Sequence, residues 1–199
     1  MNYKFGTIVP FLEQKDLYII VSFIEHMFQK ENRYKIMKLF FNNPNKEFYL
    51  REISRLTEIS PSGTFRILNK LEKENLIIKN KNKAVTNFKI KDNDEIKRLK
   101  RLFNIDNVYG SKLVDFLIDK YNNPTAIVLF GSYSLGENNE KGDIDIAVIT
   151  KKHKDLDLLK FEKYLGKRIH LLEVDLNMVS KEFKNNLANG FILEGYLNL

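Results

Sequence analysis

The sequence predicts an α+β fold in two units: a helical N-terminal unit closed by a short basic hairpin, then a small mixed-sheet α/β unit. Three observations carry this expectation. Apolar residues recur at helical spacing up to about residue 75 and then switch to short strand-like runs. The excess positive charge lies entirely before residue 111. Two near-continuous apolar runs, within 126–132 and 143–149, have the pattern of buried strands. The 199 residues suffice for one large domain or two small ones. A hydrophobic fraction of 43% with only 9 Gly and 4 Pro excludes a collagenous, low-complexity or largely disordered chain. The absence of cysteine excludes a disulfide framework, a thiolate metal site and a cysteine nucleophile, and suits a reducing cytoplasm. The longest strongly apolar stretch, 17–24, is far short of the roughly 20 residues of a membrane span. Residues 1–10 lack the pattern of a cleavable signal, so a cytoplasmic location and no membrane partner are expected.

The net charge of +7 is unevenly spread. Residues 1–110 hold 21 Lys+Arg against 13 Asp+Glu, a net of +8, whereas 111–199 hold 12 against 13. Within the first part, 31–91 carry 14 basic and 6 acidic side chains. Such a concentration is the electrostatic footprint of a nucleic-acid contact; a solvated lysine-rich surface is the alternative.

In chain order, 17–28 places Leu17, Ile20, Val21, Ile24, Met27 and Phe28 at helical spacing, and Ile19 and Phe23 widen the stripe. This is either a core helix or a dimerisation helix, and its apolar width favours a homodimer. Residues 33–41 form a second helix, ended by Asn42-Asn43-Pro44. A third, 50–57, sets Leu50, Ile53 and Leu56 on one stripe. Ser60-Pro61 reads as an N-cap followed by proline at the first helical position. The helix it opens turns Thr64, Leu68 and Leu71 inward and ends near Asn75. Strands at 76–79 and 85–90 follow, joined by the basic turn Asn80-Lys81-Asn82-Lys83. Helices at 92–103 and 111–121 come next, with a boundary near Tyr109-Gly110. The expected division is 1–30, 31–91, a connecting helix at 92–110, and 111–199.

Helix, helix, capped helix and basic hairpin within about 60 residues resembles a winged helix-turn-helix, with the run 49–56 followed by 60–77 as its core. The resemblance implies duplex DNA as partner, the helix from Ser60 in the major groove and the hairpin on the flanking backbone. Ser62, Arg66, Asn69 and Lys70 lie on that helix's outward face; Arg66 suits guanine and Asn69 adenine, while Lys70, Lys81 and Lys83 serve phosphates. Phe65 departs from the pattern, and either touches a thymine methyl or packs against another domain.

The sharpest signal is Ala126-Ile127-Val128-Leu129-Phe130-Gly131-Ser132, a ten-residue spacer, and Asp143-Ile144-Asp145-Ile146-Ala147-Val148-Ile149. Acids two apart in a strand project from one face and can share a hard divalent cation, Mg²⁺ or Mn²⁺. Two close carboxylates are costly without such neutralisation. Gly131-Ser132 provides a turn where backbone approaches a phosphate, with a hydroxyl beside it.

This pattern resembles the nucleotidyltransferases of the DNA polymerase beta superfamily, particularly their minimal members, over 111–199. The resemblance implies that Gly131 and Ser132 hold a nucleoside triphosphate and that Asp143 and Asp145 bind metal. It also implies a third carboxylate from a later strand, at 168–174, where the simplest match places His170. Glu173 and Asp175 have the opposite parity and need a bulge or a strand end to enter the site. Catalysis is thus expected from Asp143 and Asp145 with Glu173 or His170. Leu135 and Gly142 also depart from the family pattern. The ending, from Phe183 on, resembles that of archaeal fusions of the two domains. Two functions follow: a Mg²⁺-dependent nucleotidyltransferase carried by a DNA-binding domain, or a DNA-binding transcriptional regulator with a weak or inactive transferase-like domain.

Overall fold

The computed structural model describes residues 31–82 and 85–198. The expected dimerisation helix at 17–28 and the phosphate contact assigned to Lys83 lie outside the described residues. The chain is a mixed α+β structure with eight helices and two sheets among the described residues.

The first core gathers helices α1 (Glu31–Asn42), α2 (Leu50–Thr57) and α3 (Pro61–Lys73) with strands β1 (Phe48–Tyr49), β2 (Ile77–Asn82) and β3 (Val85–Ile90). The strands form an antiparallel sheet in the order β1-β3-β2. Phe40, Phe41, Phe48 and Phe88 are buried at its centre, with Phe40 edge-on to Phe48 at 5.6 Å. Each fully buried aromatic contributes about 1.5–3 kcal/mol. The N-cap of α3 is as expected: Ser60 Oγ accepts from the Gly63 N–H at 3.2 Å, with Pro61 at the first helical position.

Two expectations are corrected here. The buried face of α2 is Ile53, Ser54 and Thr57, whereas Leu56 is 51% exposed. The helix is rotated because both hydroxyls find carbonyls inside: Ser54 Oγ donates to Ile59 O at 2.5 Å and Thr57 Oγ1 to Ile53 O at 2.7 Å. The expected basic turn is also displaced, since Asn80, Lys81 and Asn82 are strand residues, paired through Asn82↔Val85.

No linker separates the two cores. Helix α4 (Asp94–Gly110) starts at an Asn93 cap and continues past Phe103, where a helix end was expected. Its Ile96 and Phe103 belong to the first core, with the Phe103 ring tilted against Phe41 at 5.1 Å, while Ile105 and Val108 belong to the second. A short turn leads into α5 (Leu113–Tyr121).

The second core is a four-stranded mixed sheet, ordered β6-β5-β4-β7, from β4 (Ala126–Phe130), β5 (Ile144–Ile149), β6 (Ile169–Val174) and β7 (Phe191–Gly195). Strand β5 runs antiparallel to β4 and parallel to β6. One face, with Ile127, Leu129, Ile144, Ile146 and Val148, packs on α4, α5 and α7 (Leu159–Leu165). The other, with Val128, Phe130, Ala147 and Ile149, packs on α8 (Lys181–Ala188) through Leu187 and Phe183. Both faces are covered, which explains why β4 and β5 are apolar without alternation. Helix α6 (Gly131–Leu135) turns off the end of β4, and residues 136–143 return the chain to β5.

Candidate functional site

The site lies at the end of β4 and the start of β5. Asp145 is the second residue of β5; it is register-paired with Phe130 on β4 and with His170 on β6. The parallel register places His170 and Asp145 on the same face, and His170 Nδ1 lies 3.1 Å from Asp145 Oδ1. The ring is 57% exposed, and its Nε2 lies on the side away from the Nδ1 that meets Asp145.

Gly131, the residue after Phe130, sits against this carboxylate with φ +68°. A Cβ there would stand 3.2 Å from Asp145 Cγ and closer still to Oδ2. Backbone and carboxylate therefore meet where only glycine fits. Ser132 follows, exposed. Asp143 stands one residue ahead of β5, exposed at the end of the 136–143 loop. The structure thus packs Gly131 and His170 each against Asp145, with Ser132 and Asp143 adjacent in the chain.

Glu173 is not brought into this cluster. The β5–β6 register runs without a bulge from Ile144↔Ile169 to Ile149↔Val174, so Glu173 keeps the opposite parity and faces α5. There Tyr121 donates its hydroxyl to Glu173 Oε1 at 2.5 Å, the Lys154 N–H donates to the same oxygen at 2.6 Å, and His153 Nδ1 lies 2.9 Å from Oε2. Burial favours the neutral Glu173 carboxyl, but these three donors outweigh it and hold the group below its ordinary range. Asp175 is 3.9 Å from the Lys151 ammonium. Among the described residues no group of three or more His, Asp and Glu side chains is arranged to hold a metal ion.

The loop that ends at Asp143 is held by residues with no motif to announce them. Lys100 and Asn104 project from α4, both almost fully buried. Lys100 Nζ donates to Asn138 O, and Asn104 Nδ2 donates to Tyr133 O at 2.7 Å and to Asn138 Oδ1 at 2.8 Å. Lys167 Nζ donates to Asn139 O at 2.6 Å, Gly142 O at 3.2 Å and Glu140 O at 3.3 Å. Burial lowers the affinity of both amines for a proton, Lys100 to about 8. Lys97 Nζ reaches Glu137 at 3.1 Å, and the Asn45 N–H donates to Glu140 Oε1 at 3.2 Å. One sequence signal pointed to Lys100 and Asn104: with Ile96 and Phe103 they lie on one apolar stripe of α4, an odd place for a lysine.

On α3, Ser62, Arg66 and Lys70 are exposed. Asn69 is half-buried, and Lys79 Nζ donates to its Oδ1 at 3.2 Å. Phe65 is 45% exposed, with the Lys79 ammonium 5.2 Å from its ring centre, so the C-terminal unit does not cover it. Lys81 is exposed on β2. No helix among the described residues is long and apolar enough to cross a membrane.

No curated protein matches the chain. Among solved structures, it is similar to a possible transcriptional regulator from Methanosarcina mazei Go1, at 16% identity over 52% of this chain and 88% of that one, with a TM-score of 0.34. It is also similar to NadR in complex with 4-hydroxyphenylacetate, at 14% identity over 60% and 84%, with a TM-score of 0.33. At these scores neither likeness assigns a fold. Residues 111–196, which contain the Gly131–Asp145–His170 cluster, match the family described as nucleotidyltransferase domain, and the C-terminal part of the chain therefore carries that domain.

Proposed function

We propose that the chain binds duplex DNA through a winged helix-turn-helix at 31–91 and transfers a nucleotidyl group from a nucleoside triphosphate to an acceptor hydroxyl at the Gly131–Asp145 site. The observation that carries the transfer reading is the close packing of Gly131 on the Asp145 carboxylate, with His170 on the same group.

Asp143 and Asp145 offer hard oxygen donors, and Asp145 keeps Oδ2 clear of its contact with His170. Two carboxylates are fewer than the ligands of a full protein cage, so the pair fits a Mg²⁺ or Mn²⁺ ion whose shell is completed by triphosphate oxygens. When bound, such an ion supplies charge neutralisation at the phosphates. Gly131 lets backbone come close to the phosphates, and the exposed Ser132 places its hydroxyl beside them. The acceptor oxygen bonds to the α-phosphorus as the bond to pyrophosphate breaks. The acceptor's proton goes to His170 Nε2, the ring being oriented by its Nδ1–H bond to Asp145. For the DNA contact, Ser62, Arg66 and Lys70 present an exposed helix face, and Lys81 extends it onto the hairpin.

A second reading, a nucleotide-sensing regulator without turnover, is favoured by one observation: the β6 residue register-paired with Asp145 is a histidine, while Glu173 faces away. One experiment separates the two. The protein is incubated with α-labelled triphosphates and Mg²⁺, and label is sought on protein, RNA and DNA. Label that is lost in His170→Ala, with nucleotide binding retained, supports transfer. Metal-dependent nucleotide binding without label supports the sensor. No nucleotide binding sensitive to Asp143→Asn or Asp145→Asn refutes both.

A further inference from the structure

The loop between α6 and β5 is gripped by two ammonium groups from different elements. Lys167, two residues before β6, spends its three N–H donors on three main-chain carbonyls, Asn139 O, Glu140 O and Gly142 O, the last belonging to the residue before Asp143. Lys100 reaches Asn138 O from α4, and Asn104 holds the Asn138 side chain beside it. Lys100 is only 4% exposed. Burying an ammonium against the Asn138 carbonyl is a poor route to stability, since an apolar side chain of similar shape is often neutral or better at such places. What the two lysines do achieve is geometric: they hold the main-chain carbonyls of Asn138, Asn139, Glu140 and Gly142, and the next residue is Asp143.

We propose that Lys100 and Lys167 are positioning residues of the candidate metal–nucleotide site, fixing the 138–142 loop and so the place of Asp143 relative to Asp145. The proposal rests on the reading of Asp143 and Asp145 as a metal-binding pair. Lys100 belongs to a helix whose Ile96 and Phe103 are part of the N-terminal core, so the site is set partly from outside the matched domain. The chemistry of the bound species follows from the donors: a hard divalent cation, with or without a polyphosphate.

The two roles open to a lysine near an acidic site predict opposite signs. If Lys100 and Lys167 merely lie nearby, removing their charge makes the site more negative, and affinity for a bare cation rises. If they position Asp143, their removal lets the loop relax, and affinity falls despite the more favourable field. The test uses the full chain at low ionic strength with Mn²⁺ alone as probe, free ion being counted by electron paramagnetic resonance. Lys100→Met and Lys167→Met are compared with wild type, with thermal unfolding recorded for each. Each substitution is expected to weaken Mn²⁺ binding about tenfold or more, the usual effect of removing a residue that orients a metal ligand. Lys100→Met should unfold at or near the wild-type temperature. Unchanged or tighter Mn²⁺ binding in either folded variant overturns the proposal. Should Lys100→Met fail to fold, the half-buried Lys167 decides alone. Failure of the underlying metal reading is distinct: wild type would then bind no Mn²⁺ that Asp143→Asn with Asp145→Asn removes.

Discussion

Gly131→Ala is the sharpest probe of the site. The residue has φ +68°, where an L side chain costs roughly 1–2 kcal/mol. Its new Cβ would stand 3.2 Å from Asp145 Cγ and nearer to Oδ2, so the carboxylate must rotate away. Forcing that side chain off its rotamer adds about 0.5–1.5 kcal/mol. The sum, about 1.5–3.5 kcal/mol, corresponds to a fall in Tm of about 3–14 °C for a chain of this size. The two parts separate in a double-mutant cycle. With Asp145→Ala the offending atoms are gone, and the remaining neighbour, the β-carbon of residue 145, lies at an ordinary 3.5 Å. Gly131→Ala in that background should cost only the backbone part, leaving a coupling of about 1 kcal/mol. Denaturant unfolding of the four proteins measures it, and Mn²⁺ binding should fall in Gly131→Ala by at least about tenfold. Equal destabilisation in both backgrounds would refute the claim that Gly131 is required by the Asp145 carboxylate.

Three further outcomes are expected. Duplex DNA binding should weaken with salt along a log–log slope of about −4 to −5 if about five phosphates are neutralised; Arg66→Ala should flatten sequence preference and Lys81→Ala weaken all sequences alike, as a competition titration would reveal. Glu173, whose carboxyl is held below the ordinary 4.5 chiefly against the effect of burial, stabilises the fold fully above that pH and loses its contribution as the solution becomes more acidic. Glu173→Gln should therefore flatten the acid limb of a stability-versus-pH curve, and should leave Mn²⁺ binding intact because the side chain faces α5. Lys100, lowered by burial from 10.5 to about 8, is more readily protonated in the unfolded chain, so stability should rise between about pH 8 and 10.5. In Lys100→Met that rise should disappear; a rise of the same size in the variant would show that the burial of Lys100 is not its source.

Much of the molecule was legible in local pattern. Ser60-Pro61 marks the start of α3, unbroken apolar runs mark β4 and β5 as strands buried on both faces, and Gly131 and Asp145 stand where a strand-end motif puts them. These features depend on a residue and its near neighbours, so periodicity and capping chemistry suffice to place them. Parity alone already set His170 and Glu173 on opposite faces of β6. Which of the two stands beside Asp145 is a matter of register between strands about 25 residues apart, and only the assembled sheet, with Asp145↔His170 paired and no bulge, decides it. The same holds for Lys100 and Lys167, whose partners are main-chain carbonyls of a loop 38 and 25–28 residues away in sequence. A carbonyl leaves no mark in the sequence, because every residue has one. Side-chain pairings such as Lys79 with Asn69 likewise arise only when the hairpin folds onto α3. The sequence by itself therefore determined the elements and the chemical groups of the site; the tertiary structure decided which groups meet, because meeting is set by register and packing between segments that no local pattern connects.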